Sequence, residues 1–157
     1  MGVMDVEFYQ FDTPLGAMAL ACNDQALTHL YLPNRPTPRI ASHATPLLAR
    51  GREELLEYLA GTRREFDLPL APEGTPFQRG VWSALQHIPW GQTRTYRDIA
   101  QAVDCPKGFR AVGMANHRNP LPIFIPCHRV VGADGSLTGY AGGLELKKAL
   151  LAIEGLG

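Results

Sequence analysis

Apolar and polar residues alternate along the first third of the chain, which is typical of β-strands with one buried face. Three such stretches cover residues 6–13, 17–24 and 26–33, with glycine, proline, asparagine and aspartate between them. The period then changes, and leucines recur at helical spacing between Thr45-Pro46 and Gly61. The pattern predicts an antiparallel meander followed by one amphipathic helix.

Helical spacing dominates the second half of the chain. One helix is predicted from Thr75-Pro76 to Ile88, and another over residues 144–155 at the end. Thr95, with aspartate three residues later, resembles a capping box and predicts a short helix. Residues 108–118 predict a second short helix after a tight turn, so the two form a candidate helix-turn-helix.

The same patterns predict which side chains of this half are buried. An apolar run at residues 123–125 predicts a buried strand that leads into Pro126 and Cys127. In the first helix of this half, Phe77 and Trp82 are expected in the core. In the last helix, the inward residues are expected to be Leu144, Ala149 or Leu150, and Ile153, with Lys147 and Lys148 outward.

These elements indicate an α+β protein with two domains. Residues 1–74 form a small antiparallel sheet with a helix, and residues 75–157 form a mostly helical domain that contains the helix-turn-helix and the Pro-Cys-His-Arg loop. Residues 68–76 carry three prolines and a glycine, so this stretch is the predicted linker.

Formal charge is divided unequally between the halves, although the chain is neutral overall. Residues 1–74 carry six arginines against ten acidic residues, net −4, whereas residues 75–157 carry nine basic residues against five acidic ones, net +4. A basic second half suits a polyanionic partner such as nucleic acid. An uneven scatter of solvated charges is the alternative.

Cysteine content and hydropathy indicate where the protein works. Cys22, Cys105 and Cys127 form an odd set without framework spacing, so free thiols, a reducing compartment and a cytoplasmic location are expected. No stretch approaches the roughly 18 apolar residues of a membrane helix. No membrane association is expected.

Cys127 lies between a proline and a histidine, directly after the apolar run. Only a few per cent of an ordinary thiol is thiolate at neutral pH, so a nucleophilic cysteine needs neighbours that lower its pKa. From the dipeptide alone, Cys127 is a nucleophile, a metal ligand or a core residue, and His128 is a base or a hydrogen-bonded core residue.

An ordered set of motifs separates these alternatives. The set comprises Phe77-Gln78-x3-Val81-Trp82, Ile88-Pro89-x-Gly91 with Tyr96, Arg110-Ala111-Val112-Gly113, Asn119-Pro120, Pro126-Cys127-His128-Arg129-Val130, Tyr140-Ala141-Gly142-Gly143 and Glu154-Gly155. Over residues 75–157 it resembles the O6-alkylguanine-DNA alkyltransferases, or methylated-DNA:protein-cysteine methyltransferases. Residues 1–74 resemble that family only in layout.

The resemblance implies a catalytic role for five residues. Cys127 would take a methyl or other alkyl group from O6 of guanine in DNA and keep it as a thioether, once per molecule. His128 would act as base through a water, oriented by Glu154. Tyr96 would donate toward the guanine ring, and Asn119 would hold the helix-turn-helix against the active-site strand.

The resemblance also implies a double-stranded DNA partner that contains O6-alkylguanine. Arg110 would fill the gap left by a nucleotide flipped out of the duplex. The other expected DNA contacts are Thr95, Arg118 and Arg129. The base pocket would be lined by Met114, Val130, Tyr140, Ala141 and Gly142. A monomer without cofactor is expected, and without metal, since Cys22 and His29 lack partners for a tetrahedral zinc site.

Alternatives to this function remain at the level of sequence. Some relatives carry serine where Ala141 stands, so tolerance of other lesions, such as O4-alkylthymine, is open. A non-catalytic module that binds alkylated DNA is the first alternative, and a Cys-His hydrolase or redox enzyme is the second. Cys127 argues against the first, and the basic second half argues against the other.

Overall fold

The chain forms two compact units in the computed structural model, which describes residues 6–137 and 139–156. The first unit ends at Pro72 and the second begins at Glu73. The first contains an antiparallel sheet and one long helix, whereas the second contains four helices and a pair of short strands in its described part. The α+β class is therefore confirmed.

Three strands of the first unit form the predicted meander. They are β1 (Glu7–Thr13), β2 (Gly16–Cys22) and β3 (Leu27–Tyr31), paired antiparallel in that order. Thr13 pairs with Gly16, whose φ of 120° is one that glycine adopts without strain. The Thr13 hydroxyl accepts a hydrogen bond from the Leu15 amide at 3.1 Å, which closes the turn.

The predicted helix of the first unit is α1 (Pro46–Leu59). Thr45 caps it, since its hydroxyl accepts a hydrogen bond from the Leu48 amide at 3.2 Å. Its apolar stripe faces the sheet, with Leu48 and Leu55 fully buried. A Cβ on Gly51 would lie 2.8 Å from Leu20 Cδ1, so this glycine allows close packing of α1 on β2.

Part of the predicted linker, residues 68–76, pairs with the sheet of the first unit. The Leu27 amide donates to Pro69 O at 2.9 Å, and the Ala71 amide donates to Leu27 O at 2.8 Å. Leu70 thus pairs with β3 as a parallel bridge. The prediction was wrong for residues 69–71. Pro69 lacks an amide, but its carbonyl still accepts a hydrogen bond at the edge of the sheet.

The second unit carries the predicted helices. Its elements are α2 (Pro76–Leu85), β4 (Arg94–Thr95), α3 (Tyr96–Ala102), α4 (Phe109–His117), β5 (Val130–Val131) and α5 (Leu144–Ile153). Thr75 and Thr95 both form capping boxes, with Gln78 and Asp98 respectively. A tight turn with Asp104 at φ 59° joins α3 to α4, which confirms the two short helices and the turn.

Trp82 connects α2 to α4 by a hydrogen bond. Its indole is 1% exposed and its Nε1 donates to Ala115 O at 2.8 Å. Phe77, expected beside it in the core, is 36% exposed. It lies in the first turn of α2, one turn before Val81, the first buried residue of that helix.

The apolar run at residues 123–125 is buried but is not the predicted strand. Ile123 has a φ of 74°, and the Ile125 amide bonds back to Leu121 O at 2.9 Å. Prolines at 122 and 126 lack the amide that a strand ladder needs, so the segment folds on itself. A short 3₁₀ turn, Cys127–Arg129, follows directly.

The inward face of α5 differs from the predicted one. Leu144 is 44% exposed, whereas Lys147 is fully buried. Lys147, Leu150, Leu151 and Glu154 recur at positions i, i+3, i+4 and i+7, and all four are buried. The prediction was wrong because it treated a lysine as an outward residue; Lys148 does face outward.

Candidate active site

Cys127 begins the 3₁₀ turn and is 3% exposed. Burial raises the pKa of its thiol to about 11, because a thiolate loses its solvation there. Hydrogen bonds from Asn119 and Tyr140 and the positive charge of Lys147 act in the opposite direction. The resting sulfur is therefore a neutral thiol surrounded by groups that favour its anion.

Asn119 holds the turn that carries the cysteine. Its Nδ2 donates to Ile125 O at 2.8 Å, and its Oδ1 accepts from the Leu121 amide at 2.9 Å. A single side chain thus replaces the two backbone partners that a strand would have supplied. Asn119 was expected to hold the helix-turn-helix against the active-site strand, whereas the two hydrogen bonds observed for its side chain lie within the loop itself.

His128 and Glu154 form a buried pair. The distance from His128 Nε2 to Glu154 Oε2 is 2.8 Å, and the two residues are 0% and 2% exposed. Since a carboxylate only accepts, Nε2 carries the proton and Nδ1 is the nitrogen with the lone pair. Burial lowers the pKa of His128, and the bond to Glu154 acts against this shift. The neutral imidazole is therefore suited to accept a proton.

Arg129 is placed differently from its predicted role. It is 6% exposed, and its guanidinium donates to both Glu154 oxygens, at 2.8 and 2.9 Å, and to Ile88 O at 2.7 Å. These hydrogen bonds occupy the guanidinium N–H groups that would otherwise bind a phosphate. Its assignment as a DNA contact was wrong: a buried carboxylate needs a positive partner, and Arg129 is that partner.

Lys147 is a site residue that the sequence analysis missed. Its Nζ donates to Val130 O at 2.7 Å, in the strand that follows the 3₁₀ turn. Burial lowers the pKa of this ammonium, and the Cys127 thiolate would raise it. One signal in the sequence could have identified Lys147 as buried: it lies on the same helical face as Leu150, Leu151 and Glu154.

The other predicted site residues divide between the interior and the surface of the second unit. Tyr140 and Val130 are buried, at 7% and 0% exposure, whereas Met114 is 56% exposed and does not form an enclosed wall. Ala141 and Gly142 are half-buried.

The helix-turn-helix carries the remaining predicted DNA contacts. Arg110 and Arg118 are exposed on α4 and at its end. Tyr96 is half-buried at the start of α3, where a Cβ on Gly113 would lie 3.9 Å from its ring. The Thr95 hydroxyl accepts from the Asp98 amide at 3.0 Å, so it caps α3.

Two further features, a metal-binding cluster and a membrane-spanning helix, can be checked in the part of the chain that the structure describes. Within residues 6–137 and 139–156, no three or more histidine, cysteine or acidic side chains are arranged to hold a metal ion. None of the helices in those ranges is long and apolar enough to cross a bilayer.

The raised pKa of Cys127 predicts a loss of stability at alkaline pH. Below pH 9.0 the thiol is protonated in both states, and above it the unfolded thiol ionises while the folded one resists until about pH 11. Two pKa units correspond to about 3 kcal/mol of unfolding free energy. Urea titrations should show this loss in the wild type relative to Cys127→Ser, which does not ionise.

The comparison between variants isolates Cys127, because Cys22 and Tyr31, whose pKa values burial also raises, are present in both proteins. A difference in unfolding free energy that stays constant from pH 9 to pH 11 would contradict the assignment.

Known proteins resemble both units of this chain. Residues 76–156 match the family described as 6-O-methylguanine DNA methyltransferase, DNA binding domain, and residues 6–72 match 6-O-methylguanine DNA methyltransferase, ribonuclease-like domain. The constitutive methylated-DNA–protein-cysteine methyltransferase of Bacillus subtilis is 50% identical over 151 residues, covering 91% of this chain and 92% of the relative. A Methanosarcina barkeri protein of the same enzyme name is 46% identical, covering 91% and 93%.

A solved structure gives the same result. The Mycobacterium tuberculosis OGT in complex with DNA has a TM-score of 0.88 and 41% identity, covering 94% of this chain and 92% of its own. Since both units match and the similarity extends over nearly the whole of both chains, this protein belongs to the 6-O-methylguanine DNA methyltransferase family.

Proposed function

We propose that this protein repairs DNA by moving an alkyl group from O6 of guanine to Sγ of Cys127. Family membership makes it a methylated-DNA–protein-cysteine methyltransferase, and the proposal adds the acceptor atom, the lesion and the route of the proton. The observation that carries it is a buried cysteine followed by an imidazole that is itself held by a buried carboxylate.

The reaction is an in-line substitution at the alkyl carbon. A bond forms between that carbon and the sulfur, the bond to O6 breaks, and its electron pair remains on guanine. His128 Nδ1 takes the thiol proton through a water, and Glu154 stabilises the imidazolium that results. Tyr96 donates toward the guanine ring as negative charge develops there.

Two charges in the site favour the thiolate as it forms. The ammonium of Lys147 is buried near the sulfur, where low dielectric strengthens its effect, and Arg129 balances Glu154. A thioether has no ionisable proton and a strong carbon–sulfur bond, so the acceptor is used once. The transfer is therefore a single turnover for each molecule.

The helix-turn-helix suits the duplex partner. Seven of the nine basic residues of the second unit are not buried, whereas Arg129 and Lys147 belong to the interior. Arg110 lies exposed near the start of α4 and would occupy the stack that a flipped nucleotide leaves. All proposed site residues come from one unit of one chain, which favours a monomer.

Mass spectrometry tests the acceptor directly. After incubation with an oligonucleotide that carries O6-methylguanine, the wild type should gain one methylene mass, and a digest should place it on Cys127. Cys127→Ser should gain no mass while it binds the same oligonucleotide with affinity within about threefold, because the substitution is nearly isosteric. A methyl group on Cys22, Cys105 or the serine variant would refute the proposal, and binding without any transfer by wild type would favour the non-catalytic alternative.

Arg110→Ala tests nucleotide flipping. The rate on O6-methylguanine in duplex DNA should fall by about 10- to 100-fold, since flipping costs a few kcal/mol that the arginine helps to offset. The rate on the free modified base should not change. Arg79→Ala removes the same charge from an exposed position on α2 and serves as the matched control. Equal losses on duplex and free base would contradict this role.

Lys147→Met tests the buried ammonium. The variant should react at least about tenfold more slowly at neutral pH, and its pH–rate profile should move to higher pH, because the thiolate loses a nearby positive charge. Lys148→Met, at the exposed neighbouring position, should keep the wild-type profile. A slower reaction with an unshifted profile would assign Lys147 to packing alone.

A further inference from the structure

Two large apolar side chains of α4 face outward. Met114 is 56% exposed and Phe109 is 47% exposed, and within residues 6–137 and 139–156 no other large apolar residue is as exposed. Both belong to a single helix of nine residues. Apolar surface of this kind gains free energy when a partner covers it. The two side chains therefore mark a contact surface on α4.

These two side chains lie on either side of Arg110. The buried residues of α4 are Val112, Ala115 and Asn116. Successive residues of a helix are about 100° apart, so the exposed Arg110 projects from the opposite side. On the same helical wheel, Phe109 lies about 100° from Arg110 in one direction and Met114 lies about 40° from it in the other. The arginine proposed to fill the vacated stack is thus flanked by apolar residues on the outer face of α4, which comprises residues 109–111, 113, 114 and 117.

The outer face of α4 has the chemistry of a surface that contacts DNA without reading its sequence. Lys107, Arg110 and Arg118 are exposed on this face or beside it, and residues 109–117 contain no acidic side chain. The one amide side chain in that range, Asn116, is buried. Amide side chains are common readers of base edges, whereas cations bind phosphates and apolar side chains press on sugars and bases from the minor groove. The face therefore fits the minor groove of a duplex.

Spacing along α4 places Met114 beyond the vacated stack. Four residues separate it from Arg110, a rise of about 6 Å, whereas neighbouring stacked bases are about 3.4 Å apart. Met114 therefore reaches the base step next to the one that Arg110 enters. Gly113 lies between Phe109 and Met114 on the helical wheel, and it adds no side chain that would hold the duplex away.

We propose that Phe109 and Met114 are apolar wedges that unstack the base steps on both sides of the flipped nucleotide, so that repair is fastest where those steps deform easily. This inference rests on the proposed function. Phenylalanine and methionine are among the side chains that minor-groove proteins insert between base pairs. Steps from pyrimidine to purine unstack readily, whereas adenine tracts are stiff. The two residues would add a dependence on flanking sequence without a hydrogen bond to any base edge.

Two duplexes test the inference. In both, O6-methylguanine stands between adenine on its 5′ side and thymine on its 3′ side. In the flexible duplex the next nucleotides outward are thymine and adenine, which gives two thymine–adenine steps. In the stiff duplex they are adenine and thymine, which gives an adenine–adenine and a thymine–thymine step. In single-turnover measurements the wild type should react about tenfold faster with the flexible duplex, because unstacking costs less there.

A double variant, Phe109→Ala with Met114→Ala, removes both wedges, and its ratio of rates should fall toward one. Both positions are exposed and alanine favours a helix, so the variant should fold. Phe109→Leu with Met114→Leu keeps apolar bulk and should keep most of the wild-type ratio. Leu144→Ala, which removes an exposed apolar side chain from α5, is the matched control and should keep the full ratio.

The outcomes separate this inference from the proposed function. Transfer by the wild type at equal rates on both duplexes, or a ratio that the double alanine variant leaves unchanged, would overturn the wedges and leave the proposed function standing. A double alanine variant that changes only the oligomeric state, measured by analytical ultracentrifugation, would assign the face to a second copy of the chain and also overturn the wedges. Absence of transfer from either duplex by folded, reduced wild type would overturn the proposed function, and this inference with it.

Discussion

The buried carboxylate of Glu154 is the interaction on which the second unit depends. It accepts hydrogen bonds from His128, from the guanidinium of Arg129 and from the Gly91 amide at 3.0 Å. Glu154 follows the end of α5, and its partners come from the 3₁₀ turn and from the loop before β4, so one charge connects three separate parts of the chain. Because Glu154 is buried, its carboxylate requires these partners; without them it would lose its solvation with no compensation.

The same carboxylate determines what the imidazole can do. It fixes the proton on Nε2 of His128 and leaves the lone pair on Nδ1, the proposed base, while Arg129 offsets its charge. A structural ion pair and the proposed catalytic pair thus share one acid. Removal of Arg129 would therefore act on the proposed proton relay as well as on stability, because its guanidinium binds the same carboxylate.

The thiol is kept neutral by burial and prepared for ionisation by its neighbours. Burial raises the pKa of Cys127 to about 11, and Lys147 and the hydrogen bonds of Asn119 and Tyr140 work against that effect. A buried neutral thiol is protected from oxidation and from chance alkylation, since the reactive form is the exposed thiolate. The acceptor of the proposed single turnover would benefit from such protection until a substrate arrives.

Local patterns in the sequence were sufficient for the strands of the first unit, for the helices of both units and for the threonine caps. Thr45, Thr75 and Thr95 each cap the start of a helix, because the hydroxyl accepts a hydrogen bond from the amide three residues later. Such a contact is local and can be predicted from the sequence. The motif around Cys127 identified the family by resemblance, and the family comparison confirmed it. Local pattern could not give the conformation of residues 123–125, where flanking prolines remove the strand hydrogen bonds and Asn119 replaces them.

Only the tertiary structure decided the partners of the buried polar groups. Arg129 and Lys147 look like surface cations in the sequence, because charged residues are rarely buried without partners and those partners lie far along the chain. Glu154 is 25 residues from Arg129, and Val130 O is 17 residues from Lys147. The sequence by itself determined most of the elements and the candidate nucleophile. Long-range packing determined which charges surround that cysteine, since pairing inside a core depends on distance in space.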